Sequence, residues 1–240
     1  MLIALIVAAA AVLMIGVEHL TPGRAWPKVA GWWPRSIALN SFQVASVFVT
    51  GRLFDGWFAQ NRLWSADGLG VVGGALVGYV VHSFVYYWWH RWRHQVPFLW
   101  RWLHQVHHSP QRIEIITSFY KHPLEIFSNS LLSSAVLYLV VGLSPEAATG
   151  SLLLSGLAEL VYHWNVRTPR WLGYVIQRPE SHCVHHQFGI HAFNYGDLPV
   201  FDWMFGTLRN PKAWDAQCGL GAEQEPRLLE MLAGVDVGTE

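Results

Sequence analysis

The sequence predicts an all-α integral membrane protein, a helical bundle of about four to five spanning or re-entrant helices with a cytosolic helical cap that carries a histidine cluster. Three observations predict this class. Of the 240 residues, 52% are hydrophobic and only 13% are charged, against roughly 25% in a typical soluble domain. Long apolar runs recur along the chain, and its histidines concentrate in three short motifs. The net charge of zero gives no electrostatic reason to expect a nucleic-acid partner.

Five apolar segments account for the bundle. Residues 1–17 form an unbroken apolar run just long enough to span a bilayer. No basic stretch precedes this run and no small-residue cleavage site follows it, so we expect a retained anchor. Residues 36–59 are a weaker span, and residues 68–89 are a third that leads directly into the first histidine motif. Residues 124–141 and 147–162 form a hairpin that either crosses fully or dips in and returns, and the sequence leaves both alternatives open.

Charge placement orients these segments. If the N-terminus is outside and all five segments cross, the inner parts of the chain are residues 18–35, 90–123 and 163–240. These parts hold 14 of the 16 Lys and Arg residues, which is the asymmetry that the positive-inside rule describes. We therefore expect a protein of the inner or cell membrane whose histidine motifs face the cytosol.

The stretch from His90 to His108 reads HRWRHQVPFLWRWLHQVHH, and the HxxHH pattern returns later as HCVHH. Residues three or four apart share one face of a helix, so each motif presents its imidazoles together. Imidazole is a poor core filler, because each ring needs partners for two nitrogens. Such a cluster indicates a multinuclear transition-metal site. The eight motif histidines are His90, His94, His104, His107, His108, His182, His185 and His186.

Other polar residues near these motifs are further candidates. Glu159 and His163 are four apart at the end of the fifth apolar segment. A carboxylate there is costly without a partner, so Glu159 is either a metal ligand, an acceptor for a ligand ring or a snorkelling side chain. We predict a metal-linked role for His163. His122 and His82 are candidates for an added ligand or a hydrogen-bond partner of one, with a purely structural role as the alternative, whereas His191 falls outside the motif spacing and is interpreted as a loop histidine.

The number and type of these ligands favour two iron ions that bind dioxygen. Structural zinc uses four ligands and usually thiolates. A b-type haem needs two histidines and would leave most of the rings idle, and a zinc peptidase would need an HExxH motif that is not present. Nitrogen-rich, open coordination suits iron. A non-catalytic membrane protein that binds metal or haem is the alternative.

The motifs HRWRH, HQVHH and HCVHH, with YYWWHR before the first, KHPLE between them and NYGDLPVFDWMFGTL after the last, resemble the fatty acid hydroxylase and sterol desaturase superfamily. The resemblance covers about residues 70–210. It implies a membrane di-iron oxygenase that hydroxylates or desaturates lipids, with dioxygen as co-substrate and electrons from a separate reductase, ferredoxin or cytochrome. It carries over the eight motif histidines as iron ligands and matches His163 to a further helix histidine of the family. Glu159 stands where some members have histidine, and Ser83 where many have aspartate.

These observations divide the chain into three parts. Residues 1–67 are expected to form N-terminal membrane anchor segments, residues 68–210 a catalytic domain like that of the fatty acid hydroxylases, and residues 211–240 a polar C-terminal tail that is peripheral or partly disordered from residue 213. The expected partners are the membrane, a lipid substrate and an electron-transfer protein. The apolar side chains do not encode which lipid is used, nor whether the product is an alcohol or an alkene.

Overall fold

The structure, a computed structural model, describes residues 2–238, and within that range its regular structure is helical and contains no strand. The predicted all-α class is confirmed. π-helical segments occupy Gly51–Asp55, Trp100–His104 and Ala135–Val140. The α-helices are, in chain order, α1 (Leu2–Leu20), α2 (Trp32–Thr50), α3 (Gly56–Gln60), α4 (Gly70–Gln95), α5 (Pro97–Leu99), α6 (Gln105–His108), α7 (Pro123–Ser134), α8 (Pro145–His163), α9 (Pro179–His185), α10 (Pro199–Met204) and α11 (Leu228–Leu232).

Three of the helices within the described range are long and apolar enough to cross a membrane. They span Trp32–Gln60, Asp67–Gln95 and Pro123–Val140, and they match the second, third and fourth predicted segments. The described part of α1 contains a shorter apolar stretch, Ala9–Leu20, and Met1 lies outside the described residues. A helical membrane bundle therefore fits the structure, while full crossing by α1 and by α8 stays a prediction.

Small residues bring α4 and α8 close together. Gly78 on α4 faces Ser151 on α8, and a Cβ added at Gly78 would lie 2.3 Å from Ser151 Oγ and 2.6 Å from Leu143 Cδ1. One turn earlier, a Cβ at Gly74 would lie 2.9 Å from Ala147 Cβ. Small side chains let the backbones of membrane helices approach closely and pack through van der Waals contacts. This pair of helices carries His90, His94 and His163 at its C-terminal ends.

Replacing Gly78 with leucine is expected to lower the melting temperature, because the new side chain overpacks the α4–α8 interface at a cost of about 1–3 kcal/mol. Gly73→Leu is the matched control on the same helix, since the nearest atom to its added Cβ is Leu69 Cβ at an ordinary 3.6 Å. Thermal unfolding in detergent compares the two variants. Equal melting temperatures would contradict the close approach at Gly78.

The C-terminal stretch packs into the protein instead of lying at its periphery. Met231 on α11 and Val237 are fully buried and share a hydrophobic cluster with Trp32 and Val106. These apolar side chains point inward while Leu229 and Glu230 beside them are exposed, so the polar composition of the stretch conceals its buried side. The expectation of a peripheral or partly disordered tail from residue 213 is wrong at Met231 and Val237, and residues 239–240 lie outside the described residues.

Candidate metal centre

The predicted motif histidines converge in the structure and form two groups. Within each group, one nitrogen from every residue lies within 4.8 Å of the corresponding nitrogens of the others. His163, which lies outside the three motifs, joins the second group. The first group is His90, His94, His104, His108 and His185, and the second is His107, His163, His182 and His186.

Helix geometry distributes the histidines between the two groups. Consecutive residues of a helix differ in direction by about 100°, so neighbours in sequence face different centres. His107 belongs to the second group and His108 to the first; likewise His185 belongs to the first and His186 to the second. The doubled histidine in each HxxHH motif therefore connects the two groups.

The rings of the first group are oriented by hydrogen bonds at Nδ1. His90 Nδ1 donates to the Tyr195 carbonyl at 2.8 Å, and His185 Nδ1 donates to the Phe193 carbonyl at 2.7 Å. The opposite nitrogens, the Nε2 atoms of all five residues, are buried and have no hydrogen-bond partner. Metal-binding histidines typically donate their other N–H to a carbonyl or carboxylate in this way. Five unpartnered nitrogens around one centre fit a metal ion.

The second group brings imidazole nitrogens close together without an acid between them. His182 Nε2 lies 3.0 Å from His163 Nε2 and 3.0 Å from His186 Nε2. The other nitrogen of His163 donates to the Glu159 carbonyl at 2.9 Å. A neutral imidazole has a single N–H, and His163 uses its own on this carbonyl. A shared cation would satisfy the converging lone pairs, so this group also fits a metal ion.

Burial keeps these rings in the form that binds metal. It lowers the pKa of His185 to about 3. Neutral imidazole is the ligand form, so the histidines need not lose a proton at pH 7 to bind an ion. Burial also lowers, well below the ordinary value, the pKa of His104, His107, His108, His182 and His186.

A strained loop supplies the carbonyls that orient the first group. Phe193 and Asn194 have left-handed backbone conformations, with φ angles of 71° and 49°, which cost energy in residues other than glycine. The buried Asn194 side chain holds the loop in place by donating to the Ser181 carbonyl at 2.7 Å and to the Arg209 carbonyl at 2.9 Å. The loop thereby fixes the acceptors at Phe193 and Tyr195.

Two charged residues contribute to the site without being evident from the sequence. Glu125 is completely buried, pairs with Arg93 and accepts from His104 Nδ1 at 3.0 Å. Glu125 lies in the first turn of α7, where an acidic residue is ordinarily explained by the helix dipole. In the sequence, the only indication of this role was the position of the glutamate in KHPLE, just before an apolar run. That position was ambiguous, because the helix dipole explains it equally well.

The carboxylate of Glu159 lies outside both groups and pairs with Lys121. Glu159 contributes its main-chain carbonyl to His163, and a ligand role for its carboxylate stays a prediction. His122 caps α7 by accepting from the Leu124 N–H at 3.0 Å. This contact matches the structural alternative for His122.

The candidate His82 and the loop histidine His191 also lie outside the two histidine groups but have defined contacts. His82 Nε2 lies 3.0 Å from Ser133 Oγ, within the membrane part of α4. His191 Nδ1 lies 3.0 Å from His108 Nδ1, and the His191 ring packs on Trp100. His191 thus contacts a ring of the first histidine group, a contact that its position outside the motifs did not predict.

A model of the fatty acid hydroxylase family matches residues 75–207. The match is just over half of the 240-residue chain and includes all three histidine motifs. The chain belongs to the fatty acid hydroxylase family. The resemblance predicted from the motifs is confirmed, and the matched segment contains both histidine groups and the loop that orients them.

Curated relatives with lipid-related names share this segment. The chain is 29% identical over 140 residues to very-long-chain aldehyde decarbonylase GL1-9 of Oryza sativa subsp. indica, covering 55% of this chain and 53% of the relative. It is 28% identical over 178 residues to alkylglycerol monooxygenase of Homo sapiens, covering 72% of this chain and 36% of the relative. It is 28% identical over 139 residues to sphingolipid C4-hydroxylase sur2 of Schizosaccharomyces pombe, covering 56% of this chain and 47% of the relative. In these matches the chain spans about half the length of the relative or less. No solved structure gives a significant match.

Proposed function

We propose that this protein is a membrane-bound di-iron oxygenase that hydroxylates or desaturates an unactivated C–H bond of a lipid. The observation that carries this proposal is the convergence of nine imidazoles in two groups beside a cavity lined by the spanning helices. Relatives named as a monooxygenase, a hydroxylase and a putative sterol desaturase support the reaction class. Within this proposal, residues 68–210 are the catalytic domain and residues 1–67 anchor it.

The donor set suits two iron ions. Five nitrogens would hold one ion and four would hold the other, and neither group includes a thiolate of the kind that structural zinc sites usually contain. When bound, iron would supply the activation of dioxygen, one atom of which enters the C–H bond in a hydroxylation while the other leaves as water with electrons and protons from outside.

The chain's own residues orient the ligands and shield the site. The carbonyls of Phe193 and Tyr195 and the carboxylate of Glu125 keep the protons of three rings on Nδ1, so that Nε2 faces the centre. The spanning helices exclude water and let a lipid enter from the side. With the site at the cytosolic edge of the inner or cell membrane, a separate electron-transfer protein would reach it from the cytosol.

Metal analysis of the purified protein tests the proposal, and about two irons per chain are expected, as in di-iron carboxylate proteins with a different ligand set. Lipid-dependent oxygen uptake in the presence of a chemical or protein reductant is the second measurement. A Soret band, or one metal per chain without oxygen uptake on any lipid, would contradict it. Either result would favour a non-catalytic membrane protein that binds haem or metal.

A further inference from the structure

A cavity of about 270 Å³ adjoins the histidine groups. Side chains from α2, α4, α7 and α8 line it, and at one end it reaches His90, His104 and His107. Two further lining residues, Val47 and Leu152, are 46% and 41% exposed on the outer surface of the bundle. The cavity therefore extends from the metal ligands to a surface that lipid chains would cover.

The cavity lining includes hydrogen-bonded polar groups from the membrane helices. Ser133 Oγ lies 3.0 Å from His82 Nε2 and 2.8 Å from the Tyr86 hydroxyl, which donates to the Asn129 carbonyl at 2.6 Å. Polar groups inside a membrane protein are costly, face the interior and mark substrate pathways. A cavity that received only a hydrocarbon chain would need none of these groups.

Several buried polar atoms of the lining have no partner within the described chain. Six of them belong to the histidine groups and to the Arg93–Glu125 pair, and the other two, which lie farther along the membrane helices, are Gln43 Oε1 and His82 Nδ1. An unsatisfied buried polar atom costs about 1–3 kcal/mol, so a partner from outside the chain is the simplest way to remove that cost. The amide of Gln43 and the ring of His82 match a hydroxyl group, which both donates and accepts.

The charges of the lining disfavour an anionic ligand. Among the described residues that line the cavity, the Lys and Arg side chains are Lys121 and Arg93, and each already pairs with a carboxylate. Asp55 and Asp197 line the cavity as well, where they accept hydrogen bonds from Ser134 and Ser155. A carboxylate or phosphate head group would meet these acids without a free cation to pair with.

The cavity is also too small for a whole long-chain lipid. Pockets that bury drug-sized ligands measure about 300–1,000 Å³, and this one holds about 270 Å³. It has room for a head group and the first carbons, while the rest of the chain would lie outside past Val47 and Leu152.

We infer that the substrate is a neutral lipid with a hydroxyl head group, and that this head enters the cavity so that a carbon close to it is oxidised. The inference rests on the proposed function for the oxidation step, but head-group binding can be measured without iron or turnover. It excludes as preferred ligands both a bare hydrocarbon and a lipid with a negatively charged head.

Equilibrium binding of three C16 compounds to metal-free protein in nanodiscs tests the inference. We expect 1-hexadecanol to bind at least about tenfold more tightly than hexadecane or hexadecanoate, because one or two added hydrogen bonds suffice for that ratio. Binding of hexadecanoate or hexadecane as tight as that of the alcohol would overturn it.

Variants locate the binding in this cavity. A Cβ at Gly156, which lines the cavity on α8, would meet no atom within 4 Å, so Gly156→Leu is expected to fill the cavity without a backbone clash and to abolish alcohol binding. Gly56→Leu is the control, because Gly56 is an exposed helical glycine outside the cavity that also has no atom within 4 Å of an added Cβ. Gln43→Leu is expected to remove the preference for alcohol over hexadecane. Unchanged alcohol binding in Gly156→Leu and Gln43→Leu would refute the assignment.

Iron content and oxygen uptake on the same preparations separate the two proposals. Selective alcohol binding without turnover of any lipid would contradict the proposed oxygenase and support the head-group inference. Turnover of hexadecanoate by protein that does not select the alcohol would support the oxygenase and contradict the inference.

Discussion

Replacing His185 with alanine is expected to remove metal from the first group and to abolish lipid oxidation. His185 Nε2 is buried without a partner among the other ligand nitrogens of that group. Loss of a residue that only supports a ligand typically lowers metal affinity 10–100-fold, so loss of a ligand is expected to exceed about 100-fold. Metal analysis should find about one iron per chain or less where wild type holds about two, and product formation should fall below about 1%.

His107→Ala makes the same test of the second group, because His107 belongs to the other set of ligands. Both variants are expected to be inactive, since the proposed chemistry needs both ions. His19→Ala is the matched control, because His19 is an exposed histidine whose ring bonds to the Ile15 carbonyl within α1. Wild-type iron content and turnover in His107→Ala or His185→Ala would remove the assignment.

Replacing Glu125 with alanine is expected to destabilise the protein and to weaken metal binding. Arg93 is only 4% exposed, and without its carboxylate partner its charge would be buried and uncompensated, at a cost of about 3–5 kcal/mol. His104 would also lose the acceptor of its Nδ1–H, for which we expect a 10–100-fold lower iron affinity. Thermal unfolding and iron titration measure the two effects separately.

A double variant distinguishes the two contributions of Glu125. Arg93→Met combined with Glu125→Leu removes both charges from the buried pair, so stability is expected to recover relative to Glu125→Ala. Iron affinity is expected to stay low, because His104 still lacks its acceptor. If the double variant melts as low as the single one, the uncompensated guanidinium is not the source of the lost stability.

Local sequence patterns were sufficient to predict the long helices and the convergence of the motif histidines. The apolar runs and the three-and-four-residue spacing depend on neighbours in sequence, and both survive in the structure as long helices and converging rings. His163 could be predicted to join the site because it ends an apolar helix beside Glu159. The role of Glu159 could not be decided from the sequence, because its partner, Lys121, lies on a distant segment of the chain.

Long-range and main-chain contacts were beyond the reach of the sequence. Arg93 and Glu125 lie on α4 and α7, and no local pattern pairs them. The acceptors at Phe193 and Tyr195 are main-chain carbonyls, which every residue possesses, so the residue type carries no signal. The inward side of the C-terminal stretch was missed because the apolar residues around Met231 and Val237 form only short runs interrupted by Glu230, Gly234 and Asp236.

Bilayer thickness is expected to have little influence on the separation between the two histidine groups. Membranes of different thickness change the tilt of spanning helices and can shift one helix against another. The two centres are joined through His107–His108 and His185–His186, whose α-carbons are held about 3.8 Å apart by a single peptide unit. Covalent geometry therefore limits how far the two histidine groups can move apart, so their arrangement can be kept in membranes that differ in lipid composition.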